Sequence, residues 1–127
     1  MTSPSRQQGI ILFAHGSRDA LWRLPIEAVA QRIQTVSPQT DVACAYLELT
    51  APDLPTTAAM MIARGIQHIV IVPMFLGVGR HAREDLPVLV QQLQKDHADV
   101  QFDLRRAIGE EPQLTQAMAN IALASLP

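Results

Sequence analysis

The chain has 127 residues, 48% of them hydrophobic and 17% charged, with a formal net charge of −2 and a single cysteine. A chain of this length can bury an adequate core without disulfides or a structural metal, and its balance is that of a folded protein rather than a disordered one. The slight negative charge leaves no basic footprint for nucleic acid, and the longest apolar run, residues 69–78, falls short of the roughly 20 residues needed to cross a bilayer.

These limits lead us to expect one domain over residues 1–127, with residues 1–9 as a flexible start. That start is polar and has no apolar signal-peptide core, and Cys44 has no second cysteine to pair with. A cytoplasmic location follows as the expectation, with neither membrane nor nucleic acid as a partner.

The first element is the continuous apolar run Ile10-Ile11-Leu12-Phe13-Ala14, a strand buried on both faces, ended by Gly16-Ser17. A helix should begin near Leu24, with Pro25 in its first turn and Ile26, Val29, Ala30 and Ile33 at helical spacing, and close at Ser37-Pro38. Residues 42–47 read as a second strand with Cys44 as a buried small apolar residue. Asp53 then caps a helix that ends at Gly65. His68-Ile69-Val70-Ile71-Val72 gives the strongest strand signal. Asp85 is the expected cap of a third helix, with Pro87 in its first turn. Val100, Phe102 and Leu104 alternate with polar residues as in an edge strand, and a last helix should cover residues 112–126. Met60, Met61 and Met118 fit helix core positions.

Four strands alternating with four helices predict an α/β fold with a four-stranded, mostly parallel sheet and helices on both faces. In open sheets of this kind ligands bind outside the carboxyl ends of the strands. His15 follows the first strand, Glu48 the second, and His81 lies in a loop over residues 74–83 after the third. All three therefore fall on one edge, whereas His68 and His97 fall on the opposite one.

Two imidazoles and a carboxylate converging from three strand ends suit a divalent metal ion, although each histidine alone could equally be a structural loop residue. Asp85 stands four residues after His81, placed either to cap the helix or to hold the far nitrogen of the ring. Gly77 and Gly79 give the loop the backbone freedom of a ligand-hugging segment, but no glycine-rich phosphate loop precedes a helix, so no nucleotide is expected. Arg18, Arg80 and Arg83 flank the histidines as carboxylate-binding candidates or as solvated loop charge. Arg105 and Arg106 either add charge to the same edge or face water. Trp22 covers the site or packs on the first helix.

Ile11-Leu12-Phe13-Ala14-His15-Gly16-Ser17-Arg18, then Tyr46-Leu47-Glu48-Leu49 with Pro52, then Pro73-Met74-Phe75-Leu76 with Gly79, His81, Asp85, Leu86 and Pro87 resemble, in order, three segments of the short-form sirohydrochlorin cobalt chelatases. These belong with the sirohydrochlorin iron and nickel chelatases in the class II chelatases, and the match runs over nearly the whole chain. The resemblance implies a chelatase-like fold, metal binding by His15 and His81 with Glu48 beside them, and a homodimer, since short members resemble half of a longer two-lobed chelatase. It also implies insertion of a divalent metal, with cobalt foremost and nickel or iron as alternatives, into sirohydrochlorin or a related tetrapyrrole. The metal is then a substrate, and no nucleotide is consumed. Two rival readings use the same groups: a non-catalytic metal or tetrapyrrole carrier, and a metal-assisted hydrolase.

Overall fold

The computed structural model describes residues 8–127. Residues 1–7, most of the expected flexible start, lie outside that description, and Gln8 and Gly9 belong to the first strand instead. Gly9 is held there by packing, because a side chain on it would meet the Met61 sulfur at 2.9 Å.

In chain order the elements are β1 (Gln8–Ala14), a 3-10 turn (Ala20–Arg23), α1 (Leu24–Val36), β2 (Asp41–Tyr46), α2 (Leu54–Ala63), β3 (His68–Pro73), α3 (Arg80–Asp96), β4 (Gln101–Leu104), a second 3-10 turn (Ile108–Glu110) and α4 (Pro112–Ala124). The sheet order is β2-β1-β3-β4, and every neighbouring pair is parallel. The chain therefore steps one way from β1 to β2 and the other way afterwards. Right-handed crossovers then put α1 on one face and α2 and α3 on the other.

The two faces differ in packing. Ile11 and Phe13 of β1, Ile69 and Ile71 of β3 and Phe102 of β4 point into one aliphatic core, which Leu54, Ala58 and Met61 of α2 and Leu86, Val90 and Leu93 of α3 close. On the opposite face neither α1 nor α4 buries a residue. Ile10, Val42, Cys44, Val70 and Val72 are only half-buried there. Cys44 is thus not the fully buried residue the strand pattern suggested, because α1 covers that face incompletely. Met60 and Met118 are also exposed, and only Met61 reaches the core. Successive helical residues turn by about 100°, so Met60 and Met61 cannot both face the sheet.

Helix α2 starts as expected, with the Asp53 carboxylate accepting the Thr56 amide at 2.9 Å. This bond holds the Asp53 carboxyl below its usual range. An Asp53→Ala variant should lose about 1 kcal/mol of stability at neutral pH. A lowered folded-state pKa adds stability above the ordinary carboxyl range and loses it as pH falls through the folded value, so the difference should shrink as pH falls below that ordinary range. Urea unfolding of both proteins at pH 7 and pH 2.5 checks this, and an equal gap at both would contradict the cap assignment.

Helix α3 departs from expectation. It begins at Arg80 with Gly79 as its cap residue, so Asp85 lies in the second turn and Pro87 inside the helix. Pro87 lacks only the amide that would bond the Arg83 carbonyl, and both residues are exposed, so water can satisfy that carbonyl. The consequence for the site is that His81 sits on a helix rather than in a loop.

Candidate functional site

The connections leave β1 toward β2 on one side, and β3 lies on its other side, so the carboxyl end of β1 is where the order of the sheet reverses. His15 follows immediately. Its ring lies 4.3 Å from that of Phe75, tilted by 33°, so the end of the β3 connection supports one face of the imidazole. The ring remains exposed to an incoming ligand, as do Glu48 and His81.

The loop carrying Glu48 is laced to the loop carrying His15. The Leu47 amide donates to Ala14 O at 2.9 Å and the Glu48 amide to His15 O at 3.0 Å, extending the β1–β2 ladder past the strands. The Ser17 amide donates to Thr50 Oγ1 at 3.1 Å, while the Thr50 hydroxyl donates to Ser17 O. Gly16 makes the close approach possible: its φ is +99°, and a Cβ there would lie 1.7 Å from Glu48 O. Gly77 and Gly79 have no such need, since neither adopts a positive φ and a Cβ on either would meet open space. The freedom expected of them is therefore not used by the fold.

The structure thus couples His15 to Glu48 through the backbone, and it brings His81 to the same edge on the first turn of α3. Among the described residues no three His, Cys, Asp or Glu side chains are gathered as a ready-made metal shell. Asp85 lies one turn beyond His81, and among the described residues it makes no hydrogen bond to it. The two other histidines stand at the far edge, as the strand direction predicts. His68 opens β3 with its Nε2 on the Asp103 carboxylate, and His97 ends α3 with its ring 6.2 Å from that of Phe102.

A family model described as CbiX matches residues 9–123. The chain belongs to the CbiX family. A CbiX protein of cobalamin (vitamin B12) biosynthesis from Marinobacter aquaeolei VT8 superposes with a TM-score of 0.80 at 33% identity, over 92% of this chain and 95% of the other. Sirohydrochlorin cobaltochelatase of Methanococcus aeolicus is 31% identical over 65% of this chain and 58% of its own length. The chloroplastic sirohydrochlorin ferrochelatase of Arabidopsis thaliana is 27% identical over 80% of this chain and 45% of its own. The chain therefore spans about half of the length of these two curated relatives. The fold is also that of the sirohydrochlorin chelatase SirB from Bacillus subtilis subspecies spizizenii, solved with cobalt, at 21% identity and a TM-score of 0.78 over 94% of this chain and 51% of that one.

In this CbiX chain the three expected arginines differ in availability. Arg80 is paired with Glu84 at 3.3 Å on the exposed face of α3. Arg18 is exposed in the loop after His15, and Arg83 lines a cavity between α3 and the end of β4. Trp22 packs at the end of β2, 6.2 Å from the Tyr46 ring. Burial, helped by the neighbouring Cys44 and Glu27, pushes the Tyr46 hydroxyl up to about 12, so it stays protonated at neutral pH and does not serve as a base. The supporting roles of Phe75 and Thr50 were not visible beforehand. Thr50 and Ser17 are 33 residues apart, and no local pattern announces their bond. No helix among the described residues is long and apolar enough to cross a membrane.

Proposed function

We propose that the chain is a nucleotide-independent chelatase that inserts a divalent metal ion, with cobalt foremost and nickel or iron as alternatives, into sirohydrochlorin or a related tetrapyrrole. The observation that carries this reading is the exposed His15 imidazole at the reversal point of the sheet, stacked on Phe75 and laced to the Glu48 loop, with His81 on the first helical turn after the neighbouring strand β3. Family membership supports it, as do relatives named as sirohydrochlorin chelatases.

Insertion exchanges two pyrrolic protons for one divalent ion, with no change in oxidation state. The protein's work is positioning and proton transfer. Neutral His15 and His81 would hold the ion at the open edge, which leaves coordination positions for water and then for ring nitrogens. The Glu48 carboxylate, fixed through its backbone to the His15 loop, would accept the pyrrolic protons or join the metal. Three exposed groups on an open edge suit a broad, flat ligand better than a buried pocket would.

The test is to assay purified protein with sirohydrochlorin and cobalt, nickel or iron(II) in turn, following the macrocycle absorbance. Catalytic turnover above the spontaneous rate supports the reading. Stoichiometric binding without turnover would instead support a carrier, and ester or phosphoester cleavage a hydrolase.

The active unit is expected to be a homodimer, because one strand edge cannot enclose a macrocycle when pockets usually bury about 70–90% of a ligand of drug size. Exposed apolar surface supports this: in α4, Met118, Ile121 and Leu123 are 38%, 69% and 64% exposed. Sedimentation should report about twice 13.9 kDa at micromolar concentration, and Ile121→Asp should shift it to the single-chain mass. A wild-type monomer under assay conditions would refute the two-copy cleft.

A further inference from the structure

Beyond β4 the chain runs Arg105-Arg106-Ala107 along the same edge as the histidines, and it is held there firmly. The Arg105 amide donates to Ile71 O at 2.9 Å, Ala107 is buried, and the Gly109 amide donates to Phe75 O at 2.9 Å. Gly109 lies so close to the Phe75 connection that a Cβ on it would fall 1.9 Å from Leu76 O. This segment therefore forms a fixed wall. The first turns of α3 form the facing wall, and the cavity between them has a volume of about 190 Å³. Water takes about 30 Å³ per molecule in the liquid, so the space holds roughly six waters or a short carbon arm with a carboxylate at its end.

The lining has two characters. Ala82, Leu86 and Leu104 supply apolar surface, while Arg83 comes from one wall and Arg105 and Arg106 from the other. Arg106 is committed to Glu111 by two contacts, at 2.9 and 3.1 Å. Among the described residues, the Arg83 and Arg105 side chains enter no ion pair within 4 Å, although Arg105 lies near enough to Glu111 to help Arg106 hold its carboxyl down, and Glu110 is the one acid that lines the cavity with them. The 100° turn per residue sets His81 and Arg83 on opposite flanks of the inward stripe through Ala82 and Leu86. A macrocycle laid across this first turn would span both flanks, with His81 on one and Arg83 on the other.

We propose that Arg83 and Arg105 form a clamp for one peripheral carboxylate of the tetrapyrrole, seated in the cavity between α3 and the end of β4 and orienting the macrocycle over the histidine edge. This rests on the chelatase reading and deepens it: Arg105 becomes a specificity-determining residue. Guanidinium groups suit the role because they stay charged and bind carboxylates with paired donors. The apolar lining packs the methylenes of the arm, so both parts of an acetate or propionate substituent find a matching surface.

The experiment measures macrocycle binding and insertion kinetics for wild type, Arg83→Gln, Arg105→Gln and Arg105→Lys, with Arg32→Gln on α1 as the control for loss of one charge. Each clamp variant should raise KM and Kd for the carboxylate-bearing macrocycle about tenfold or more, with kcat within about twofold. Lysine at 105 should recover part of the loss, and Arg32→Gln should change nothing. A macrocycle with its carboxylates amidated should bind wild type and Arg105→Gln alike. If Arg105→Gln lowers Tm, Arg83→Gln on the facing wall carries the same comparison. KM and Kd within twofold of wild type in both glutamine variants would overturn the clamp and leave the chelatase reading standing. Failure of wild type to bind the macrocycle at all would overturn both.

Discussion

Replacement of His15 or His81 by alanine is expected to reduce metal insertion at least 100-fold while leaving the unfolding midpoint near that of wild type. In the proposed site the two imidazoles are the ligand set, and losing either would leave too few protein donors to present the ion. Stability should change little, because both side chains are exposed and neither belongs to the aliphatic core. The largest structural loss is the His15 contact with Phe75, whose ring is itself buried. His68→Ala and His97→Ala serve as controls, since both stand at the far edge and should keep wild-type insertion rates. The measurements are metal titration, initial rates and urea unfolding on all four variants. Wild-type turnover in His15→Ala and His81→Ala would remove the site assignment, and loss of activity in His68→Ala would mean that the wrong end of the sheet had been chosen.

Gly16→Ala should be among the most damaging single methyl groups in the molecule. Alanine at a φ of +99° is strained by about 1–3 kcal/mol, and its Cβ would sit 1.7 Å from the Glu48 carbonyl oxygen, which is backbone and cannot swing aside. The loops after β1 and β2 must then separate, breaking the Glu48 amide bond to His15 O and displacing both groups of the site. We expect a loss of about 3 kcal/mol or more in stability together with most of the activity. Gly77→Ala supplies the contrast, because its Cβ would enter open space without a positive φ. An unchanged urea midpoint and full activity in Gly16→Ala would show that the lacing of the two loops is not needed.

The start of α3 shows where sequence signals misled. Asp85 and Pro87 together look like a helix entrance, since both residue types are favoured in first turns. The helix instead enters five residues earlier, at Arg80, behind a Gly79 that makes no side-chain cap bond. Local signals rank possible starts, but the burial of Leu86, Val90 and Leu93 against the sheet settles which turns are formed. Met118 makes the same point from the other side. Its spacing in α4 is that of a core residue, yet α4 buries nothing within one chain, so helical periodicity marked an apolar stripe that the single chain leaves uncovered.

The sequence by itself determined the order of strands and helices, the parallel sheet and the edge to which each histidine belongs. Continuous apolar runs, capping residues and the handedness of crossovers act over a few residues or through topology alone, so they are readable without coordinates. It also put Glu48 on the same edge as His15, as residues following two strands of one parallel sheet, while the adjacency of those strands came from the structure. Only the tertiary structure decided how that edge is held together. The Phe75 ring under His15, the Ser17 and Thr50 exchange, the Gly16 approach to Glu48 and the pairing of Arg106 with Glu111 all depend on contacts at ångström range. Most of these join segments dozens of residues apart, and side-chain partners at that separation are set by packing density and backbone position, which no pattern along the chain encodes.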